Sequence, residues 1–294
     1  MKNLLKIIAL VAVVGTFGCT SVKVDATKSN TLTAMAWNIW HGGREDGEKV
    51  GPKRVVEVIQ ESGADIVAMQ ETYGSGEIIS EALGFHFHPR GTNVSIHSRY
   101  PILEDVSVFQ EFKCVGAIIE LPDNTPVAFY SIWLPYSEDI HVKGSRDGKT
   151  KEQLLAACDV SRIDLQEILA LIQKRLAETS HDDISVIIAG DYNSMSHLDY
   201  TEENKEQFGY VIDWPTSRVI TEAGYVDAYR AVHPEVNRTN DRTWTPRFPE
   251  QFQDRIDFIY CKSNRLRVVD AEVIDLHKEK FPSDHAAVIA TYVY

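Results

Sequence analysis

Residues 184–194 read ISVIIAGDYNS, an apolar and β-branched run from Ile184 to Ala189 that breaks into Gly190, Asp191 and Asn193. That composition and length predict a buried strand. Gly190 allows close backbone approach, and two hard-oxygen donors follow it two residues apart. Asp191 could cap a helix or belong to a site. On either reading, polar chemistry stands at the end of a core strand.

Working outward, comparable runs occur at TLTAMAW (31–37), DIVAMQ (65–70), TNVSIHS (92–98), CVGAIIEL (114–121), PVAFYSIWL (126–134), RIDFIY (255–260), RVVDAEVI (267–274) and AAVIATYV (286–293). Helical periodicity appears in PKRVVEVIQESG (52–63), with Val55, Val56 and Ile59 on one face and Gly63 as a stop. It recurs from Glu152 to Ala177, where Leu155, Ile163, Leu165, Ile168, Leu169 and Ile172 keep the spacing. Helices alternate with strands early and in the middle, while strands cluster between Thr92 and Leu134 and after Asp254. This mixture predicts two sheets packed face to face with helices outside, a layered α/β sandwich.

The chain has 294 residues, 44% of them hydrophobic, enough for one large domain with a full core. No linker or repeat divides it, so residues 31–294 read as one domain. The first 19 residues, MKNLLKIIALVAVVGTFGC, combine Lys2 and Lys6 with a short apolar run and small residues, the pattern of an export signal. The run is shorter than the roughly 18 residues a spanning helix needs. Gly18-Cys19 resembles the lipid-attachment site of bacterial lipoproteins. That resemblance implies a lipid on Cys19, a tether at 20–30, and an exported, membrane-anchored protein on the periplasmic or cell-surface side.

Cys114, Cys158 and Cys261 remain, with no metal-binding spacing, and are expected to be small buried hydrophobes. A net charge of −13 opposes non-specific nucleic-acid binding, so nucleic acid is not the favoured partner. Lys143, Arg146, Lys149 and Lys151 form a local basic cluster that reads as a solvated loop.

Five strand ends carry groups able to bind a metal or a phosphate: Asn38, Glu71, Asp191 with Asn193, Asp257, and Asp284-His285. Ligand sites gather at strand ends because the backbone is rigid and the next loop is free. Asn38 could equally be a turn residue, and Glu71 could belong to a helix N-terminus. Asp257 lies in an apolar run, where a carboxylate needs a partner, and Arg255 in the same strand is poorly placed to be it. His285 is the natural candidate, because a buried carboxylate can keep an imidazole protonated.

Six stretches in order, WNIW (37–40), MQET (69–72), HSRYPI (97–102), GDYNS (190–194), RIDFIY (255–260) and SDHAAV (283–288), resemble the endonuclease/exonuclease/phosphatase superfamily and span nearly the whole mature chain. The resemblance implies a four-layered α/β sandwich of two mixed sheets, deoxyribonuclease I-like. It implies hydrolysis of a phosphate ester by an activated water with Mg2+, or Mn2+. Glu71 would be the principal metal ligand, with Asn38 and Asp284. Asp191 would orient or deprotonate the water, Asn193 would hold a phosphate oxygen or the water, and His285, kept protonated by Asp257, would stabilise phosphoryl charge. One position departs from the pattern. Many relatives carry a His where Trp133 stands, and indole is neither a general acid nor a metal ligand. Tyr136 or another residue of the following loop could take that part, Trp133 could be core or could shape the substrate pocket, and His41 is expected to face substrate. Charge and anchor favour a small or lipid- or sugar-linked phosphoester; an exported nuclease is the alternative, and a non-catalytic binding protein on the same fold is the second.

Overall fold

A computed structural model describes residues 30–181 and 183–294. The export signal with Cys19, and the tether up to residue 29, lie outside the described residues.

Among the described residues, twelve strands form two six-stranded sheets. The first has the order β11 (Arg267–Ile274), β12 (Ala287–Val293), β1 (Thr31–Asn38), β2 (Ile66–Gln70), β4 (Val94–Ser98), β3 (His86–Arg90). The second runs β5 (Ile102–Asp105), β6 (Cys114–Glu120), β7 (Pro126–Trp133), β8 (Ser185–Asp191), β10 (Asp257–Lys262), β9 (Val226–Asp227). Both are mixed: β1 runs parallel to β2 and β7 parallel to β8, while their other neighbours are antiparallel.

The two-residue period of each strand divides its apolar side chains between two cores. Leu32, Ala34 and Ala36 of β1 meet Ala117, Phe129, Ile187 and Ala189 of the other sheet, and Met35 and Trp37 turn outward onto Val55, Ile59 and Ile79 of the helices Val50–Ser62 and Gly76–Leu83. On the opposite side, Ile118, Tyr130 and Ile188 pack under Leu165, Ile168 and Ile172 of the helix Asp159–Ala177. The result is helix, sheet, sheet, helix, the four-layered sandwich expected.

Details depart from the sequence reading. The long helical stretch is broken at Cys158, giving Lys151–Ala157 and Asp159–Ala177. The buried face runs through Leu154, Cys158, Ser161, Leu165, Ile168 and Ile172, so Ile163 lies off it, 50% exposed, and Leu154 takes a core position instead of Leu155. Arg146 is not solvated: it is 2% exposed, paired with Asp254. Cys114, Cys158 and Cys261 are free and buried, as expected.

Topology now determines where the polar strand ends meet. Asn38 is the last residue of β1, and Glu71 follows the C-terminal end of the parallel β2. β12 runs antiparallel to β1, so Asp284-His285 at its start returns to that edge. In the other sheet β10 is antiparallel to β8, which sets Asp257 opposite Asp191. The five sites read from the sequence thus share one edge of the sandwich.

Candidate active site

A cleft of about 160 Å3 at this edge is lined by residues that include His41, Glu71, Trp133, Tyr136, Asp191, Asn193, Asp284 and His285. Asp257 lies directly behind it, fully buried.

Asp257 and His285 form its best-defined pair. The His285 Nδ1 lies 2.9 and 3.2 Å from the two carboxylate oxygens of Asp257, and both residues are buried. Burial alone would push the imidazole toward neutrality; the neighbouring Asp257 and Asp191 charges outweigh it and hold His285 well above the ordinary histidine range. Arg255 serves elsewhere, bridging Asp199 and Asp227. The pairing expected from the sequence is therefore the one present.

Asp191 accepts from the Asn193 backbone N–H at 2.9 Å and from the side-chain amides of Asn38 (3.1 Å) and Asn193 (3.2 Å). Burial raises it to about 7, against the pull of His285 and with the push of Asp257. Asn193 also donates to the Leu134 carbonyl at 2.9 Å, which ties the end of β8 to the end of β7.

On the opposite wall, Glu71 accepts from the Asn38 amide and from the His41 backbone N–H, each at 3.1 Å. Its own N–H donates to Asn93 Oδ1 at 2.9 Å and its carbonyl accepts from Gly42 at 2.7 Å. These bonds hold a backbone under strain, since Trp40 (φ 53°), His41 (φ 49°), Glu71 (φ 55°) and Asn193 (φ 45°) are all left-handed without being glycine. Gly42 must be glycine here: a Cβ would stand 2.7 Å from Ser75 Oγ and 2.9 Å from the Thr72 carbonyl. Asp284 completes the wall. Its Oδ1 is buried without a partner, and burial, with Glu71 nearby, raises its carboxyl to about 6.

These residues fit a hard divalent cation. Asp191, Asp257, Asp284 and Glu71 surround a single cationic side chain, His285, so a phosphate entering alone would meet net negative charge. An unpartnered buried carboxylate oxygen calls for a cation. Asp284 Oδ1 and the Glu71 carboxylate supply the oxygen donors that suit Mg2+ or Mn2+. Asn38, expected as a third ligand, instead turns its Nδ2 to Glu71 and Asp191 while its Oδ1 accepts from the Trp40 N–H at 3.0 Å, so it positions the carboxylates and offers no oxygen to the cation. Asp191, Asp257 and His285 also bring one ligand atom each within 4.8 Å of one another. Both oxygens of Asp257 are engaged by His285, so that trio is better suited to holding a proton than an ion.

Trp133 stands beside Asp191 in the β7–β8 register and packs edge-on to Phe112 at 5.6 Å between ring centroids, so it serves both cleft wall and core. Tyr136 is 42% exposed at the rim, and His41 is exposed and bonded to Glu45 at 2.7 Å. His97, by contrast, is core: its ring nitrogens meet Ser80 and Ser95, and burial lowers it to about 3. The sequence reading missed Trp40, Asp139, His141 and Trp244 in the cleft wall. They sit in irregular segments where no periodicity marks them, and only the aromatic and histidine content of those loops gave a signal.

Comparison with known proteins gives the class. Residues 35–285 match the Endonuclease/Exonuclease/phosphatase family, and the chain belongs to it. It is 29% identical to the uncharacterized protein F14F9.5 of Caenorhabditis elegans, over 97% of this chain and 98% of that one. Among solved structures it resembles an endonuclease/exonuclease/phosphatase of Beutenbergia cavernae (16% identity, 90% of this chain and 72% of that one, TM-score 0.61). It also resembles Danio rerio TDP2 complexed with a single-strand DNA product (15% identity, 90% and 99% coverage, TM-score 0.60). At these identities the structures establish the fold, which is that of a family of phosphoester hydrolases.

Proposed function

We propose that this protein is a Mg2+-dependent hydrolase of phosphate esters, acting on a small or a lipid- or sugar-linked phosphoester. The observation that carries the reading is the buried, unpartnered Oδ1 of Asp284, a residue that lines the cleft where Glu71, Asp191 and the Asp257–His285 pair converge. Glu71 and Asp284 would hold the cation, with Asn38 fixing Glu71. When bound, the cation supplies positive charge that offsets the site's carboxylates and the phosphoryl group's own charge.

The remaining work falls to the chain's own residues. Asp191 takes a proton from the attacking water, Asn193 keeps that carboxylate oriented, and the water oxygen bonds to phosphorus as the bond to the leaving group breaks. His285, charged because of Asp257, stabilises the negative charge on the phosphoryl oxygens. Trp40, Trp133 and Tyr136 along the cleft suit a flat or apolar group beside the phosphate.

The test compares hydrolysis of bis-p-nitrophenyl phosphate, p-nitrophenyl phosphate and plasmid DNA with Mg2+ and with chelator, using His285→Ala as control. Diester cleavage with intact plasmid supports the reading. Nicked plasmid, lost in the variant, favours an exported nuclease, the second reading, for which the DNA-bound TDP2 relative is the supporting observation. No turnover of any ester with cation still bound would leave a binding protein. Export with lipidation of Cys19 is part of the same proposal. Labelled fatty acid entering the wild type and not Cys19→Ala supports it, and equal labelling refutes it.

A further inference from the structure

His141 also lines the cleft, beside Asp191, Asp284 and His285, and nothing in the preceding reading uses it. It is 4% exposed, and neither ring nitrogen has a hydrogen-bond partner in the protein. Leaving a buried imidazole N–H unpaired is unfavourable, so native structures rarely do it without a use for the group.

The backbone around this idle side chain is nevertheless held firmly. Its N–H donates to Asp139 Oδ1 at 2.8 Å, and its carbonyl accepts from Phe252 N at 3.2 Å. Arg146 Nε donates to the Ile140 carbonyl at 2.7 Å while its guanidinium pairs with fully buried Asp254 at 2.5 Å. Asp254 in turn exchanges backbone bonds with Trp244, at 2.9 and 2.8 Å, and the adjoining Thr243 binds the backbone N–H groups of Ala286 (2.8 Å) and Asp257 (3.1 Å). A buried ion pair adds little net stability over apolar packing, and what this one does is fix a loop. The loop is fixed to the same segment that positions Asp257 and His285.

We propose that His141 touches the substrate, donating a ring N–H to a non-bridging oxygen of the phosphoryl group. This rests on the phosphoester reading of the cleft. Burial and the nearby Arg146 charge lower His141 to about 4, so it works as a neutral donor and not as a source of protons. His141 and His285 thus divide the work, one supplying hydrogen bonding without charge and the other charge.

The experiment titrates wild-type protein containing Mg2+ with inorganic phosphate and follows the histidine ring resonances. The rings of His141 and His285 are expected to shift along one saturation curve. In kinetics, His141→Ala is expected to lower kcat/KM about 10- to 100-fold, equally for aryl and alkyl phosphodiesters. Cation affinity should be unchanged, and His141→Asn, which keeps an N–H, should recover part of the loss. Phosphate that moves His285 and leaves His141 still overturns the contact, as does wild-type turnover by His141→Ala. A loss confined to the poorer leaving group overturns it in favour of leaving-group contact. If phosphate moves neither ring and the wild type cleaves no ester, the phosphoester reading fails, and this inference with it.

Discussion

Asp191 and His285 are buried side by side, and their surroundings push both pKa values upward, Asp191 to about 7 and His285 well above the ordinary imidazole range. The proposed roles need Asp191 ionised and His285 protonated. Rate should therefore rise with pH through the Asp191 range and fall at alkaline pH as His285 loses its proton, a bell that a kcat/KM profile would display. Asp257→Asn removes the charge that holds His285 up. The alkaline limb should then move to lower pH, kcat should fall about 10²- to 10⁴-fold, and an unmoved His285 titration by NMR would break the assigned pair. Stability follows the same signs. Each group, raised on folding, favours the native state fully below its unfolded pKa and loses that contribution as pH climbs through the folded one. Ionised Asp191 is thus a stability cost at the pH where it would work. At this scale the pair was legible because Asp257 interrupts an apolar run with no suitable partner in its own strand. Arg146 and His141 were not, because a loop has no period to separate a buried side chain from a solvated one.

At the scale of elements, Gly190 shows how much one backbone atom constrains. It sits at φ 151°, and a Cβ there would lie 2.0 Å from the Ile132 carbonyl oxygen of β7. Gly190→Ala must separate two parallel central strands just where Asp191 and Asn193 leave the sheet. We expect destabilisation of more than about 3 kcal/mol, read as a lower urea midpoint, with activity lost in whatever folds; a midpoint within error of wild type would contradict the close approach. The central strands were readable as continuous apolar runs because both their faces are covered. β3, β5 and β9 escaped notice for the converse reason: each is an edge strand, partly exposed, and β3 carries Pro89 while β9 is two residues long. The helix break at Cys158 was hidden because Leu155 and Ile163 continue the period across it. Only the capping box of Thr150 and Gln153 marks where the first helix begins.

For the whole molecule, six motifs in order were enough to give the layered fold, whereas register and topology were needed to bring their polar ends together. The same assembly concentrates carboxylates at one edge of a chain whose net charge is −13. A divalent cation should relieve that repulsion, so Mg2+ is expected to raise the Tm. The increment should grow between pH 5 and pH 8 as Asp284 and Asp191 ionise, and a pH-independent increment would place the cation elsewhere. The negative charge also predicts weak, steeply salt-sensitive DNA binding, and retention on DNA at 0.2 M salt would contradict it.

The most direct test of the central claim is Mn2+ affinity, measured by calorimetry on wild type, Glu71→Gln and His285→Ala in parallel. The account predicts that Glu71→Gln loses at least about tenfold in affinity, the loss of one charge-assisted contact, while His285→Ala binds as wild type does and fails only in turnover. Equal loss in both variants, or none in Glu71→Gln, would contradict the division of the site into a cation wall and a phosphoryl wall.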